Sequence, residues 1–217
     1  MKNNNTKQNI KNSAAFLFNT KGFAGTSVRE IANRAKTNVS NISYYFENKA
    51  GLLEHLVSTY FESYIAIIEQ AYIELDSRSA RECLILVIRG IMNYQKENRH
   101  LTRFVLREIT LDSTLIREIM TTYMTKEKYY LQAIFEKGIH QQEFNSIPIP
   151  YTIMQLKGML SMPYLYPQYM AEVLHIMPYE MYVAEQYSRE IEKWVNHTIC
   201  VPNERVKEKL LRIPVTI

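Results

Sequence analysis

Apolar residues recur along this chain at helical spacing, and polar caps mark where each run begins and ends. From Lys7 to Thr20, the positions Ile10, Ala14, Ala15, Leu17 and Phe18 share one face, and Gly22 follows where a left-handed residue closes a helix. Ser27, with Glu30 three residues on, forms a capping box that opens a second helix whose Ile31 and Ala35 point inward. Asn38 then caps a third helix, Val39 to Phe46. It is only about two turns long, so packing through Ile42 and Phe46 must hold it. Two short helices around a tight turn describe a helix-turn-helix, with the second as the reading helix.

A much longer stripe follows: Leu53, Leu56, Val57, Tyr60, Tyr64, Ile67, Ile68, Ala71 and Leu75 span roughly 38 Å of helix. The periodicity predicts further helices over about 79–98, 100–109 and 113–143, with Asp112-Ser113 as a cap pair before the last of these. Prolines 148, 150, 163, 167 and 178 break the next stretch into shorter pieces, among them Tyr151–Met162, before a final long helix over about 179–200. No segment alternates with period two for long enough to make a sheet. The expectation is an all-α chain with a small N-terminal unit, residues 1–47, joined to a helical body, residues 48–217.

Charge sharpens this division. The formal net charge is only +4, yet residues 1–50 carry eight Lys and Arg against two Glu, leaving the remainder slightly acidic. A basic end on a near-neutral body suits a protein that approaches phosphate with one end. Cys83 and Cys200 are far apart and outside any metal-ligand spacing, which suits a reduced, cytoplasmic compartment. The polar N-terminus lacks a signal-peptide core, and no run is long enough to span a bilayer. No cofactor, metal site or membrane association is expected. His55, His100, His140, His175 and His197 show no paired spacing, and no phosphate loop or nucleophile elbow occurs, so catalysis finds little support.

The run Ala14-Ala-Phe-Leu-Phe, Gly22-Phe, Gly25-Thr-Ser-Val-Arg-Glu-Ile-Ala, then Ile42-Ser-Tyr-Tyr-Phe-Glu-Asn-Lys49 with Leu52, resembles the N-terminal signature of TetR-family regulators over about 45 residues. The resemblance implies a TetR-like fold, a homodimer, and two reading helices in successive major grooves about 34–36 Å apart, hence near-palindromic double-stranded DNA. Lys36 and Ser40 stand where the family often has glycine, and Ser43 where it often has tyrosine. Further phrases across the chain, including Glu54-His-Leu-Val-Ser, Leu101-Thr-Arg-Phe-Val, Asp112-Ser-Thr-Leu-Ile-Arg-Glu-Ile-Met and Met162-Pro-Tyr-Leu, resemble a TetR-like branch of sporulating bacilli. That branch regulates assembly of the division protein FtsZ. This second resemblance implies FtsZ as a partner and a nucleoid-associated location.

Within that frame the reading residues take roles. Asn38 presents amides to a phosphate, while Thr26, Ser27 and Lys49 supply flanking hydroxyl and ammonium contacts. Asn41 suits an adenine edge and Val39 a thymine methyl, with Ser40 beside them on the first turn. Arg29 is positioned in the family to reach a guanine or a phosphate. Tyr44 and Tyr45 each join a ring to a phosphate-binding hydroxyl, and one of the two can instead pack into the small unit's core.

The body is less explicit. Its tyrosines and methionines suit either a small-molecule pocket with an unknown ligand or ordinary core packing, the latter being the commoner use. The family dimerises through its last two major helices, which nominates Met154, Met159, Leu160, Ile191 and Trp194. Arg99, Arg103 and Arg107 repeat every four residues, and like charges so spaced repel. With Arg117 and Glu118 they make either a protein-binding face or a solvated stripe balanced by Glu97 and Glu108.

Overall fold

A computed structural model describes the backbone of residues 2–110 and 114–202. Among these residues the chain forms nine α-helices: α1 Lys2–Lys21, α2 Val28–Arg34, α3 Val39–Phe46, α4 Lys49–Ile73, α5 Ala80–Glu97, α6 Arg99–Thr110, α7 Thr114–His140, α8 Ile149–Leu165 and α9 Met181–Trp194. No strand occurs among them. An isolated bridge between Phe144 and Cys200 ties the end of α7 to the end of the described chain. The proposed cap at Asp112-Ser113 lies outside the described residues.

The caps fall where the polar residues stand. The Ser27 side chain accepts from the Glu30 amide while Glu30 reaches back to Ser27, and Ser79 with Glu82 repeats the arrangement at the start of α5. Asn38 and Asn48 cap α3 and α4 by accepting from the amides of Ser40 and Gly51. Gly22 closes α1 at φ +76°, a conformation that costs glycine nothing.

Two apolar clusters share α4. The first gathers Ile10, Phe18, Ile31, Ile42 and Phe46 of the first three helices around Leu52, Leu56 and Tyr60 of α4 and Phe104 of α6. The second packs the far half of α4 against α5, α7, α8 and α9. One long helix and two short ones cannot bury enough surface alone, so the small unit borrows its floor from α4 and α6. The expected boundary at residue 47 therefore marks the end of α3, while the core beneath it continues to Phe61.

Pro163 does not end α8, which runs on to Leu165. A proline there has no N–H for the Met159 carbonyl, but the Tyr187 hydroxyl of α9 donates to that carbonyl at 2.9 Å. The freed acceptor is thus satisfied from a neighbouring helix. Beyond α8 a π turn, Tyr169–Val173, precedes α9, and a second, Val195–Ile199, ends it.

Candidate nucleic-acid interface

The turn that aims α3 is built from backbone. Ala35 and Thr37 donate to the Ile31 and Ala32 carbonyls at 2.9 and 3.0 Å, and Lys36 between them takes φ +52°. That left-handed position explains why glycine is the easier residue there. Thr37 also accepts from Asn41 Nδ2 at 2.6 Å, which fixes the first turn of α3 from the side.

Helix α3 has two unlike faces. Ile42 and Phe46 are buried, whereas Val39, Ser40, Ser43 and Tyr44 are exposed. Val39 is 39 % exposed and Tyr44 76 %, large values for apolar or aromatic side chains without an occupant. Tyr45 is half-buried on the core cluster, its ring edge-on to Tyr44 with centroids 4.9 Å apart. Of the two tyrosines, Tyr45 therefore packs and Tyr44 projects. After binding Thr37, Asn41 still has its Oδ1 and one N–H to offer.

Flanking groups divide between surface and scaffold. Arg29 is exposed and makes no ion pair or hydrogen bond among the described residues. Ser27 is exposed but holds the capping box, its hydroxyl 2.8 Å from Glu30 Oε2. Lys21, at 2.5 Å, and the Ser27 hydrogen bonds hold the Glu30 carboxyl down at about 2. Thr26 and Lys49 do not face a groove as expected. Thr26 is 1 % exposed and its hydroxyl donates to the Gly22 carbonyl at 2.8 Å. Lys49 Nζ donates to the Phe23 and Thr26 carbonyls at 3.0 and 2.9 Å and lies over the Phe23 ring. Their place at the border of the motif suggests phosphate contacts. In the fold they are instead staples that lock the α1–α2 turn onto α4.

An exposed reading helix on a buried, cross-braced support is the arrangement that the family model for bacterial regulatory proteins of the tetR family matches, over residues 10–56. The chain is 52 % identical over 190 residues to the probable HTH-type transcriptional regulator YttP of Bacillus subtilis, covering 88 % of this chain and 92 % of that protein. The chain belongs to the tetR family. Among solved structures, the TetR-family regulator PfmR of Thermus thermophilus shares the fold, with TM-score 0.72 and 20 % identity over 86 % of this chain and 96 % of that one. The ketosteroid regulator KstR2 of Mycobacterium tuberculosis does so at TM-score 0.75 and 14 % identity, covering 90 % of this chain and 95 % of that one. The chain is thus a DNA-binding transcriptional regulator of tetR type.

The body carries an exposed apolar surface on α8 and the segment after it, with Met154 67 % exposed beside Tyr151. The other nominated dimer residues sit elsewhere. Leu160 and Ile191 are buried in the protomer's own core, and Met159 and Trp194 pack against it. Periodicity identifies their helices but does not separate the inward face from the outward one. The arginine stripe is also divided: Arg107 donates to the Phe18 carbonyl of α1 at 3.2 Å, and the Nε of half-buried Arg103 is enclosed. Arg99 is exposed over Tyr179, and Arg117 and Glu118 are exposed on α7.

Sequence reasoning missed a buried polar site in the body. Glu127, 3 % exposed, accepts from the Tyr64 hydroxyl at 2.9 Å and pairs with Lys157 of α8. These groups border a cavity of about 250 Å³ lined also by Tyr60, Phe61 and Met124. Burial and the Glu127 charge push the Tyr64 hydroxyl up. The signal was present: Glu127 lies four residues from both Tyr123 and Leu131, on the apolar stripe of α7.

Proposed function

We propose that this tetR-type regulator is a homodimer that reads near-palindromic DNA and, while bound, regulates FtsZ-ring assembly in the manner of RefZ, the TetR-like division regulator of sporulating bacilli. The DNA-reading part rests on the outward face of α3, where Val39, Ser40, Asn41 and Tyr44 stand on a braced support with Arg29 beside them. Asn38 and Ser27 give the flanking phosphate contacts. The division part rests on the phrases that resemble RefZ in both units, and the 52 % identical relative is itself a Bacillus protein. Dimerisation is assigned to the exposed face of α8 around Met154, and partner contact to Arg117 and Glu118.

Mapping the chromosomal sites of the native protein beside a Val39→Ala/Tyr44→Ala variant tests this. A few palindromic sites clustered near the replication origin, lost in the variant, are expected. A second reading, a ligand-responsive repressor of a neighbouring operon, is favoured by the cavity beside Glu127. Sites confined to the protein's own promoter and one adjacent operon establish that reading instead.

A further inference from the structure

A cleft of about 600 Å³ opens at the waist, where α1 crosses the body. Lys11 enters it from α1, and Lys96, Arg99 and His100 enter from the junction of α5 and α6. Thr59 and Ser63 of α4 add hydroxyls. Lys11, Lys96 and Arg99 make no ion pair among the described residues. The one lining carboxylate, Glu97, accepts a hydrogen bond from Asn93 at 3.0 Å. Three cations from separate helices face this single carboxylate, so the concave space keeps a net positive charge that an anion would offset. Burial is the first cause depressing both the Lys11 ammonium and the His100 imidazole; the second is Lys7, outside the cleft, for Lys11 and Arg99, within it, for His100.

We propose that this cleft binds a phosphate-bearing small molecule. Lys11, Lys96 and Arg99 hold the phosphate oxygens, whose double charge and three acceptors suit three separated donors. Tyr164 and Tyr179, which also line the cleft, receive the organic portion. The cleft borders α4 from Leu56 to Ser63, roughly 10–20 Å along the helix from its junction with α3, so it stands behind the reading surface. Its walls are already coupled to the reading unit. Asn19 and His100 meet at 3.2 Å, and the Phe16 ring lies edge-on to His100 at 5.1 Å. An anion joining Lys11 to Lys96 and Arg99 fastens α1 to the junction of α5 and α6 and so sets the attitude of the reading unit on the body.

The test is calorimetric titration of the full chain, without DNA, using phenyl phosphate and pyrophosphate at ionic strength fixed with sodium chloride. One saturable site per protomer with submillimolar affinity is expected, accompanied by a raised Tm. A Lys96→Gln/Arg99→Gln variant keeps the native circular dichroism and weakens binding about tenfold or more, while Lys36→Gln, outside the cleft, binds as the native chain does. Phosphate-dependent slowing of amide exchange falls in α1 and in residues 96–104. Absence of saturable binding, or equal binding by the double variant, overturns the proposal. Protection confined to α2 and α3 also overturns it and assigns the phosphate to the reading surface. Because no DNA is present, the outcome is separate from that of the DNA-reading proposal.

Discussion

Thr26 in the reading unit and Glu127 in the body satisfy their buried polar groups in opposite ways. In the first, Thr26 satisfies its hydroxyl on carbonyls four and nine residues away, within one turn and the helix before it. In the second, Glu127 of α7 meets Tyr64 and Lys157 from α4 and α8, partners 63 and 30 residues distant. Local satisfaction lets α1, α2 and α3 form a stiff support from a short stretch of sequence. It leaves Val39 and Tyr44 on the outward face of α3 outside both core clusters. Long-range satisfaction makes the body's interior depend on three helices arriving together, and it leaves a cavity beside the charges.

If Val39 and Tyr44 carry no structural duty, removing them should abolish function and spare the fold. Val39→Ala/Tyr44→Ala is expected to lower specific-site affinity on the order of 100-fold at fixed salt, since each base or phosphate interaction removed costs about 1–3 kcal/mol. Thermal denaturation of the variant should match the native protein, because neither side chain belongs to a core cluster. A substantial loss of Tm would erase the distinction between support and surface.

The body's polar trio predicts the reverse pattern. Lys157→Met strands the Glu127 carboxylate, which is 3 % exposed, while the lysine it loses is 34 % exposed and partly screened. Urea denaturation should show a loss of about 2–3 kcal/mol, below the full cost of breaking a wholly buried pair. Glu127→Leu/Lys157→Met removes both charges and should be more stable than the single variant. A single variant as stable as the native chain would mean that Glu127 has no need of its partner.

The same contrast explains what was legible in the sequence. Ser27 with Glu30, Asn38 before Val39, and Gly22 after Lys21 are short-range devices, and each names its own place along the chain. Helix type and order follow from periodicity. Which face of α8 or α9 turns inward does not, because Met154, Leu160, Ile191 and Trp194 are all apolar and only the tertiary packing separates them. Thr26 and Lys49 mislead for a related reason. A hydroxyl or ammonium beside a reading helix serves phosphate or backbone carbonyls equally well, and the choice depends on a turn 23–26 residues away in the case of Lys49.

The two capping boxes allow the units to be compared with one motif. Ser27→Ala and Ser79→Ala each remove a side chain that accepts from the third helical amide. Each should cost about 1 kcal/mol in equilibrium unfolding. Since α4 belongs to both cores, the two variants should unfold in a single transition. An early, separate transition in Ser27→Ala would show that the reading unit melts independently of the body.

The carboxylates of these boxes sharpen the comparison further, with a small effect. Both Glu30 and Glu82 are held below the ordinary value of 4.5, but Glu30 alone has a lysine, Lys21, as the first cause of its shift, to about 2. A folded-state pKa below the unfolded value means a contribution fully present above about 4.5 and lost as pH falls towards 2. Carboxyl titration followed by NMR should therefore place Glu30 below Glu82 in the native protein. Lys21→Met should raise Glu30 towards Glu82 and leave Glu82 unchanged, because the capping hydrogen bonds common to both remain. If Glu30 titrated at the ordinary value in the native chain, the Lys21 bridge from α1 to α2 would not exist in solution, and the support beneath α3 would lose one of its braces.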